Sequence, residues 1–392
     1  VRFTVLLALA AVSAFAEKKV ITPEGVPRSS SPLSAAIEAD GMLWVSGMVG
    51  RDAAGRFARG DVKAQTQQTL ANIRAALKAA GLDFSHVVST NLYLADVRTL
   101  PEADEAYRVA FPKDFPARTV LESMLMAPEA LVEISAIAIR DLARRRFIRP
   151  DGWSEPQGPF SHAVDAAGTL FLSSLHPVHP GTGHLAGTSI QAQTERVMRN
   201  QEELLKAAGF LFADLVTTRI FLADSASYSG LNDVYRRFVT APPPARATLN
   251  AFPVHLGHLL QTQSVAVKGS GEGRPTGESW TSPIHSYSVK AGRRLYITGM
   301  TGRAPDGQFA LNDIRAQTRQ ALATIEVELK KHGFTWADIV DSTVYLRDTR
   351  HFAAMNEVYR ETVKLDPPAR ATVRIPLNSV EGLVEIMMVA VR

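Results

Sequence analysis

Apolar positions change their spacing along the first third of the chain, and the changes mark out elements. Ser34 to Ala39 and Met42 to Ser46 flank Asp40-Gly41. Both residues of that pair tolerate positive φ, so a tight hairpin is predicted. Asp61 offers an N-cap oxygen to a helix whose apolar face is Val62, Leu70, Ile73, Leu77 and Ala80, at helical three-and-four spacing. Gly81 ends that helix, because it takes the left-handed C-cap without Cβ strain. Val88, Thr90, Leu92 and Leu94 alternate on a strand closed by Asp96. A second helix is expected from Leu100 to Phe111, where Pro112 stops it. One further strand begins near Arg118 and another spans Leu131 to Ile139. The predicted order is β-β-α-β-α-β-β, an α/β unit with two helices on one face of a sheet.

The pattern is written three times. Pro116-Ala117-Arg118 is matched by Pro244-Ala245-Arg246 and Pro368-Ala369-Arg370. Gln65-Thr66, Gln193-Thr194 and Gln317-Thr318 each begin 53 positions before their arginine. Gly81, Gly209 and Gly333 precede it by 37, and Tyr107, Tyr235 and Tyr359 by 11. A period of 128 and then 124 residues is domain-sized, so each copy should own a core. The expected units are 17–140, 158–268 and 282–392, joined by linkers at 141–157 and 269–281. The first linker carries Arg144-Arg145-Arg146, read as a solvated, protease-sensitive connector in preference to a nucleic-acid patch. The second is rich in Gly, Ser and Glu and reads as flexible.

Composition narrows the function classes. A 46% hydrophobic and 21% charged chain of 392 residues is globular, with full cores. A net charge of +4 over that length, with neither a basic stripe nor interleaved aromatics, argues against nucleic acid as a partner. Arg2, the apolar run Phe3 to Val12 and Ala14-Phe15-Ala16 fit a cleaved export signal over 1–16, with the mature chain starting at Glu17. On that reading the protein is periplasmic or secreted and has no membrane attachment after cleavage; otherwise it is cytoplasmic. Absence of cysteine is compatible with either.

Candidate chemistry centres on the arginines and on the acidic position 15 residues later: Glu133, Gln261 and Glu385. If the two strands of a unit pair as a hairpin, Arg118 meets Glu133 and Arg370 meets Glu385. A guanidinium grips a carboxylate through two parallel hydrogen bonds, and a nearby carboxylate can move protons to and from water. Hydrolysis of a small imino acid would use both. A structural ion pair is the competing reading. Gln261 cannot act as a base, and Ser173-Ser174 replaces the Ser46-Gly47 and Thr298-Gly299 of the other copies, so the second repeat reads as a degenerate site with a scaffold role. His176, His179 and His184, with His255 and His258, sit among prolines and glycines without a cysteine, and no metal site is assigned to them.

Each unit resembles the RidA/YjgF family of reactive-intermediate deaminases. The resemblance rests on Pro32-Leu33-Ser34, Ser46-Gly47, Gln65-Thr66, Pro116-Ala117-Arg118 and Val132-Glu133-Ile134, in that order, with counterparts in the other copies. It implies a chorismate-mutase-like α/β fold that assembles as a trimer with clefts between subunits. Three fused units then imply an intramolecular pseudo-trimer. It also implies cofactor-free hydrolysis of 2-imino acids and enamines, such as 2-aminoacrylate, to keto acids and ammonia. On that resemblance Arg118, Arg370 and Arg246 would hold the substrate carboxylate and Glu133 and Glu385 would activate water. Ser46, Gly47, Thr298 and Gly299 would line the pocket. The family's tyrosine before the first-strand serine is replaced, on this alignment, by Leu33, Phe160 and Ile284. A carboxylate-binding protein without turnover is the alternative function, and ribonuclease action the less favoured one.

Overall fold

The computed structural model describes residues 17–239, 242–270 and 284–392. The expected export signal and nearly all of the second connector fall outside them. Among the described residues no helix is long and apolar enough to cross a membrane.

Unit 1 contains β1 (Lys19–Ile21), β2 (Ala36–Ala39), β3 (Met42–Val49), α1 (Val62–Ala79), β4 (Val87–Leu94), α2 (Leu100–Ala110), β5 (Ala117–Glu122), β6 (Met124–Leu125) and β7 (Val132–Ile139). Unit 2 contains β8 (Arg145–Ile148), β9 (Ala163–Ala166), β10 (Thr169–Leu172), α3 (Ile190–Ala208), β11 (Leu215–Leu222), α4 (Tyr228–Phe238), β12 (Ala245–Asn250) and β13 (Leu260–Val267). Unit 3 contains β14 (Ser288–Ala291), β15 (Arg294–Thr301), α5 (Ile314–Lys331), β16 (Ile339–Leu346), α6 (Phe352–Thr362), β17 (Ala369–Arg374) and β18 (Val384–Val391). The β-β-α-β-α-β-β order holds in all three.

Local signals act as the residues dictate. Asp40 and Gly41 both have positive φ in the β2–β3 turn. Asp61 caps α1 by accepting from Ala64 N–H at 2.8 Å, and Gly81 turns left-handed just beyond its end. The repeated glutamine is a staple. Gln65 Nε2 donates to the carbonyls of Ala58 and Glu129, and its Oε1 accepts from Leu131 N–H. Gln193 and Gln317 make the same three bonds in their units.

Sheet topology corrects one expectation. The order in unit 1 is β1-β2-β3-β7-β4-β5, with β4 and β5 parallel and β7 antiparallel to both β3 and β4. The strands carrying Arg118 and Glu133 are therefore not a hairpin, since β4 lies between them. Parallel strands need a crossover, and α2 supplies it. The return through 123–131 then sends β7 back into the gap between β3 and β4. The same arrangement holds in the other units.

Each sheet is buried on both faces. One face packs under its own helices, giving a core such as Leu70, Ile73, Leu77, Leu92, Ile134 and Tyr107 in unit 1. The opposite faces meet at the centre of the molecule, where residues of all three units share apolar clusters. Trp44, Phe171 and Val340 lie in one of these, and Tyr93, Phe221 and Tyr345 in another. Strands covered on both sides explain the near-continuous apolar runs. The units also exchange backbone pairing: β6 of unit 1 extends the sheet of unit 3 along β17. One chain thus closes as a pseudo-trimer.

The segment read as a loose connector after unit 1 is ordered structure. Arg145–Ile148 forms β8, an edge strand paired antiparallel with β9. Arg146 pairs with Asp165 at 2.6 Å, and Arg145 donates to the Ser85 carbonyl, so two of the three arginines are engaged.

Clefts between the units

Two β-bulges build the clefts. Register shifts between Val45 and Met48 in β3, and between Ile297 and Met300 in β15. The shifts fall on Ser46-Gly47 and Thr298-Gly299, and a bulge re-aims the side chains it contains. Ser46 Oγ turns to the neighbouring unit, accepts from Arg370 N–H at 2.8 Å and donates to the Ser34 carbonyl at 2.5 Å. Thr298 Oγ1 accepts from Arg246 N–H at 2.9 Å and donates to the Arg246 carbonyl at 2.5 Å. Ser173 does the same for Arg118 N–H, at 2.7 Å, across the unit 1–unit 2 boundary. These hydroxyls lock the arginine strand of one unit onto the hairpin of the next.

Side chains therefore assemble across units, which corrects the pairing expected within each repeat. Glu133 of unit 1 feels Arg370 of unit 3 and accepts from the backbone of Thr372. Glu385 of unit 3 feels Arg246 of unit 2. Gln261 of unit 2 faces the Arg118 strand, donating to the Val120 carbonyl at 3.0 Å. The degenerate cleft thus involves Arg118, whereas Arg246 of the second repeat belongs to a complete one.

The open clefts share a design. Arg370 and Arg246 are buried, at 1% and 5% exposure. Tyr359 and Tyr235 lie 4.8 Å below their guanidinium groups, an arrangement favourable to a cation. Asn356 Oδ1 accepts from Arg370 Nη2 at 2.7 Å, and Asn232 Oδ1 from Arg246 Nη2 at 2.9 Å. Arg370 Nε and Nη1, and Arg246 Nη1, are buried without a partner. Opposite them, burial pushes Glu133 and Glu385 up to about 8, against the pull of the facing arginine. The glycines make room for these carboxylates, because a Cβ on Gly47 or Gly299 would displace the Glu133 or Glu385 carboxylate from its place.

The third cleft keeps the tyrosine, with Tyr107 5.0 Å from the Arg118 guanidinium, and differs at the asparagine, glycine and glutamate positions. Where the others have asparagine, unit 1 has Asp104, which takes Arg118 Nη1 at 2.5 Å and Nη2 at 3.5 Å. Ser174 occupies the glycine position, and Gln261 the glutamate position. The Phe160 ring lies 5.8 Å from the Arg118 guanidinium. Arg118 is therefore paired through both Nη atoms with a carboxylate of its own unit, and only its buried Nε is left without a partner.

Several contributors escaped the sequence reading. Tyr107, Tyr235 and Tyr359 served there only to set register, and the Asp104/Asn232/Asn356 position, 14 before each arginine, went unremarked. The same repeat register contained both. The replaced tyrosine was also misaligned by one in unit 3. Ser34, Ser161 and Ser286 each donate backbone N–H to the proline carbonyl before the neighbouring arginine, at 3.0–3.1 Å. The residue before Ser286 is His285, so the true series is Leu33, Phe160 and His285. His285 is half-buried near Arg246, and burial takes its pKa down to about 4, with the Arg246 charge adding to the shift.

His176, His255 and His258 do converge, with ring centroids 5.1–5.4 Å apart. Burial keeps His176 neutral, its pKa down to about 3. No group of three or more His, Cys, Asp or Glu among the described residues is placed to hold a metal ion.

The fold defines a fused trimer in which a buried arginine of one unit faces a neighbouring unit at each boundary. A family model described as endoribonuclease L-PSP matches residues 24–140, 153–267 and 279–392. The chain belongs to that family, the RidA/YjgF group. It is 31% identical over 139 residues to the chloroplastic Reactive Intermediate Deaminase A of Arabidopsis thaliana, covering 36% of this chain and 72% of that protein. It is 34% identical over 124 residues to human 2-iminobutanoate/2-iminopropanoate deaminase, covering 31% of this chain and 90% of the relative. Among solved structures, the YjgF gene product of E. coli is 29% identical, covers 31% of this chain and 99% of its own, and has a TM-score of 0.30.

Proposed function

We propose that the protein is a cofactor-independent hydrolytic deaminase of small 2-imino acids and their enamine tautomers, working in two clefts: Arg370 with Glu133, and Arg246 with Glu385. One observation carries the reading. Each cleft sets at least one unpartnered, buried guanidinium nitrogen, two on Arg370 and one on Arg246, across from a buried carboxyl poised near 8. The guanidinium binds the substrate carboxylate, where charged hydrogen bonds contribute about 1.5–3 kcal/mol each. The iminium carbon then faces the glutamate. Water adds to C2 and gives its proton to the carboxylate, forming a carbinolamine. The glutamic acid returns the proton to nitrogen, the carboxylate so formed takes the hydroxyl proton as the C–N bond breaks, and it passes that proton to the departing ammonia, so keto acid and ammonium leave. A carboxyl near 8 populates both forms around neutrality, so it can take and return protons. In its acid form it can also protonate the enamine carbon.

The test generates 2-aminoacrylate or 2-iminobutanoate in situ and follows keto acid and ammonia. The wild type should exceed spontaneous hydrolysis, and Glu133→Gln with Glu385→Gln should remove the excess while keto-acid binding persists. A wild type no faster than water would overturn the reading. The base form of the glutamate exists above its pKa, so kcat/KM on a preformed imine should rise with pH through about 8. That inflection should be absent from the double glutamine variant. Capture of a carboxylate ligand without turnover is the second reading. The acid form of the glutamates favours it, since it can donate a hydrogen bond to a bound keto acid. Binding without acceleration would establish it.

A further inference from the structure

The two open clefts are not copies of each other. Eighteen residues before Arg246 stands Tyr228, whose hydroxyl lies 3.4 Å from Arg246 Nη2 and whose ring lies 5.7 Å from the guanidinium. The corresponding residue before Arg370 is Phe352, half-buried against the unit 3 core and lacking a hydroxyl. On the hairpin side, the residue before the clamp serine is His285 in the Arg246 cleft and Leu33 in the Arg370 cleft. Both are half-buried. At these two positions one cleft presents a phenol and an imidazole where the other presents two hydrocarbon side chains.

We infer, on the strength of the deaminase reading, that the clefts divide substrates by side chain. The Arg246–Glu385 cleft takes 2-imino acids whose side chain ends in an amide or hydroxyl, and the Arg370–Glu133 cleft takes short aliphatic ones. Polar wall groups left unpaired by an apolar substrate reject it strongly. Hydrocarbon walls discriminate only weakly between chains of similar size. His285 is neutral near pH 7, so it offers a hydrogen bond and not a second cation. That favours an uncharged polar group over a second carboxylate.

The experiment uses the full chain with one cleft silenced at a time. Glu133→Gln leaves the Arg246 cleft working, and Glu385→Gln leaves the Arg370 cleft. Imino acids are generated in situ from glutamine and from norvaline, which share a five-carbon skeleton and differ by the terminal amide. The glutamine-to-norvaline ratio of kcat/KM should be at least about tenfold higher for Glu133→Gln than for Glu385→Gln. Adding His285→Leu to Glu133→Gln should lower the ratio by reducing turnover of the glutamine product relative to the norvaline one, and a retained thermal transition separates lost specificity from lost folding. Equal ratios in the two single variants would overturn the inference. If the wild type accelerates neither substrate, the deaminase reading fails on its own. The matching 2-keto acids are then titrated calorimetrically into the same variants. A persisting preference upholds the division of ligands, and equal affinities refute it.

Discussion

At the scale of single residues, three positions separate the two glutamate-bearing clefts from the third. Asn232 and Asn356 accept one guanidinium hydrogen bond and leave the arginine charge exposed to a ligand, whereas Asp104 cancels that charge. Gly47 and Gly299 leave space for a glutamate, whereas Ser174 fills it. Glu133 and Glu385 titrate, and Gln261 does not. Restoring all three features, with Asp104→Asn, Ser174→Gly and Gln261→Glu, should raise the stoichiometry of keto-acid binding from two per chain to three by titration calorimetry. A stoichiometry unchanged at two would show that Phe160 or another wall residue also closes the cleft. The candidate arginines and glutamates were legible in the sequence, because the repeats align them. Their partnership was not. Spacing along one repeat cannot say that Arg370 meets Glu133, since that contact depends on how whole units dock. The off-by-one alignment at His285 has a similar origin, for only the backbone bond from Ser286 to Pro244 fixes the register there.

Among the elements, the bulged hairpin is the part on which the site depends. The N-cap at Asp61, the left-handed Gly81 and the hairpin at Asp40-Gly41 each follow from local chemistry, and each was readable in advance. Strand order was not, because an apolar run covered on both faces does not reveal its neighbours; Leu131 to Ile139 pairs with two strands that lie far away in sequence. The connector misread at Arg144-Arg145-Arg146 shows the same limit. Charge marks it as a surface segment, yet its backbone completes a sheet edge. Gly299→Ala isolates the contribution of one bulge. The added methyl meets the Glu385 carboxylate, and the change should abolish turnover in the Arg246 cleft while sparing the Arg370 cleft. Measured in a Glu133→Gln background, it should bring activity to the spontaneous rate, with the thermal transition retained. Undiminished activity there would contradict the packing argument.

For the whole molecule, fusion lets three equivalent positions differ where they meet. Around the central axis stand Asn91, Arg219 and Thr343, at equivalent places in the three units. Arg219 Nη2 lies 3.3 Å from Thr343 Oγ1 and Nη1 lies 3.1 Å from Gln263 Oε1, while Gln263 Nε2 donates to Asn91 Oδ1 at 2.7 Å. Three copies of unit 2 would keep Gln263 but bring three buried arginines together without Thr343 of unit 3, at a high cost in desolvation and repulsion. The central contacts thus suit one copy of each unit. Light scattering should give a particle of one chain, 42.6 kDa less any processed leader, and an obligate three-chain particle would refute the intramolecular trimer.

Each open cleft draws its arginine from one unit and its glutamate from another, and two double variants test this directly. Arg370→Ala with Glu133→Gln damages one cleft only, so turnover by the Arg246–Glu385 cleft should survive at the level of the Glu133→Gln variant. Arg370→Ala with Glu385→Gln damages both clefts and should leave the spontaneous rate. The reverse outcome, activity surviving in Arg370→Ala with Glu385→Gln and lost in Arg370→Ala with Glu133→Gln, would place each site within a single repeat and contradict the account.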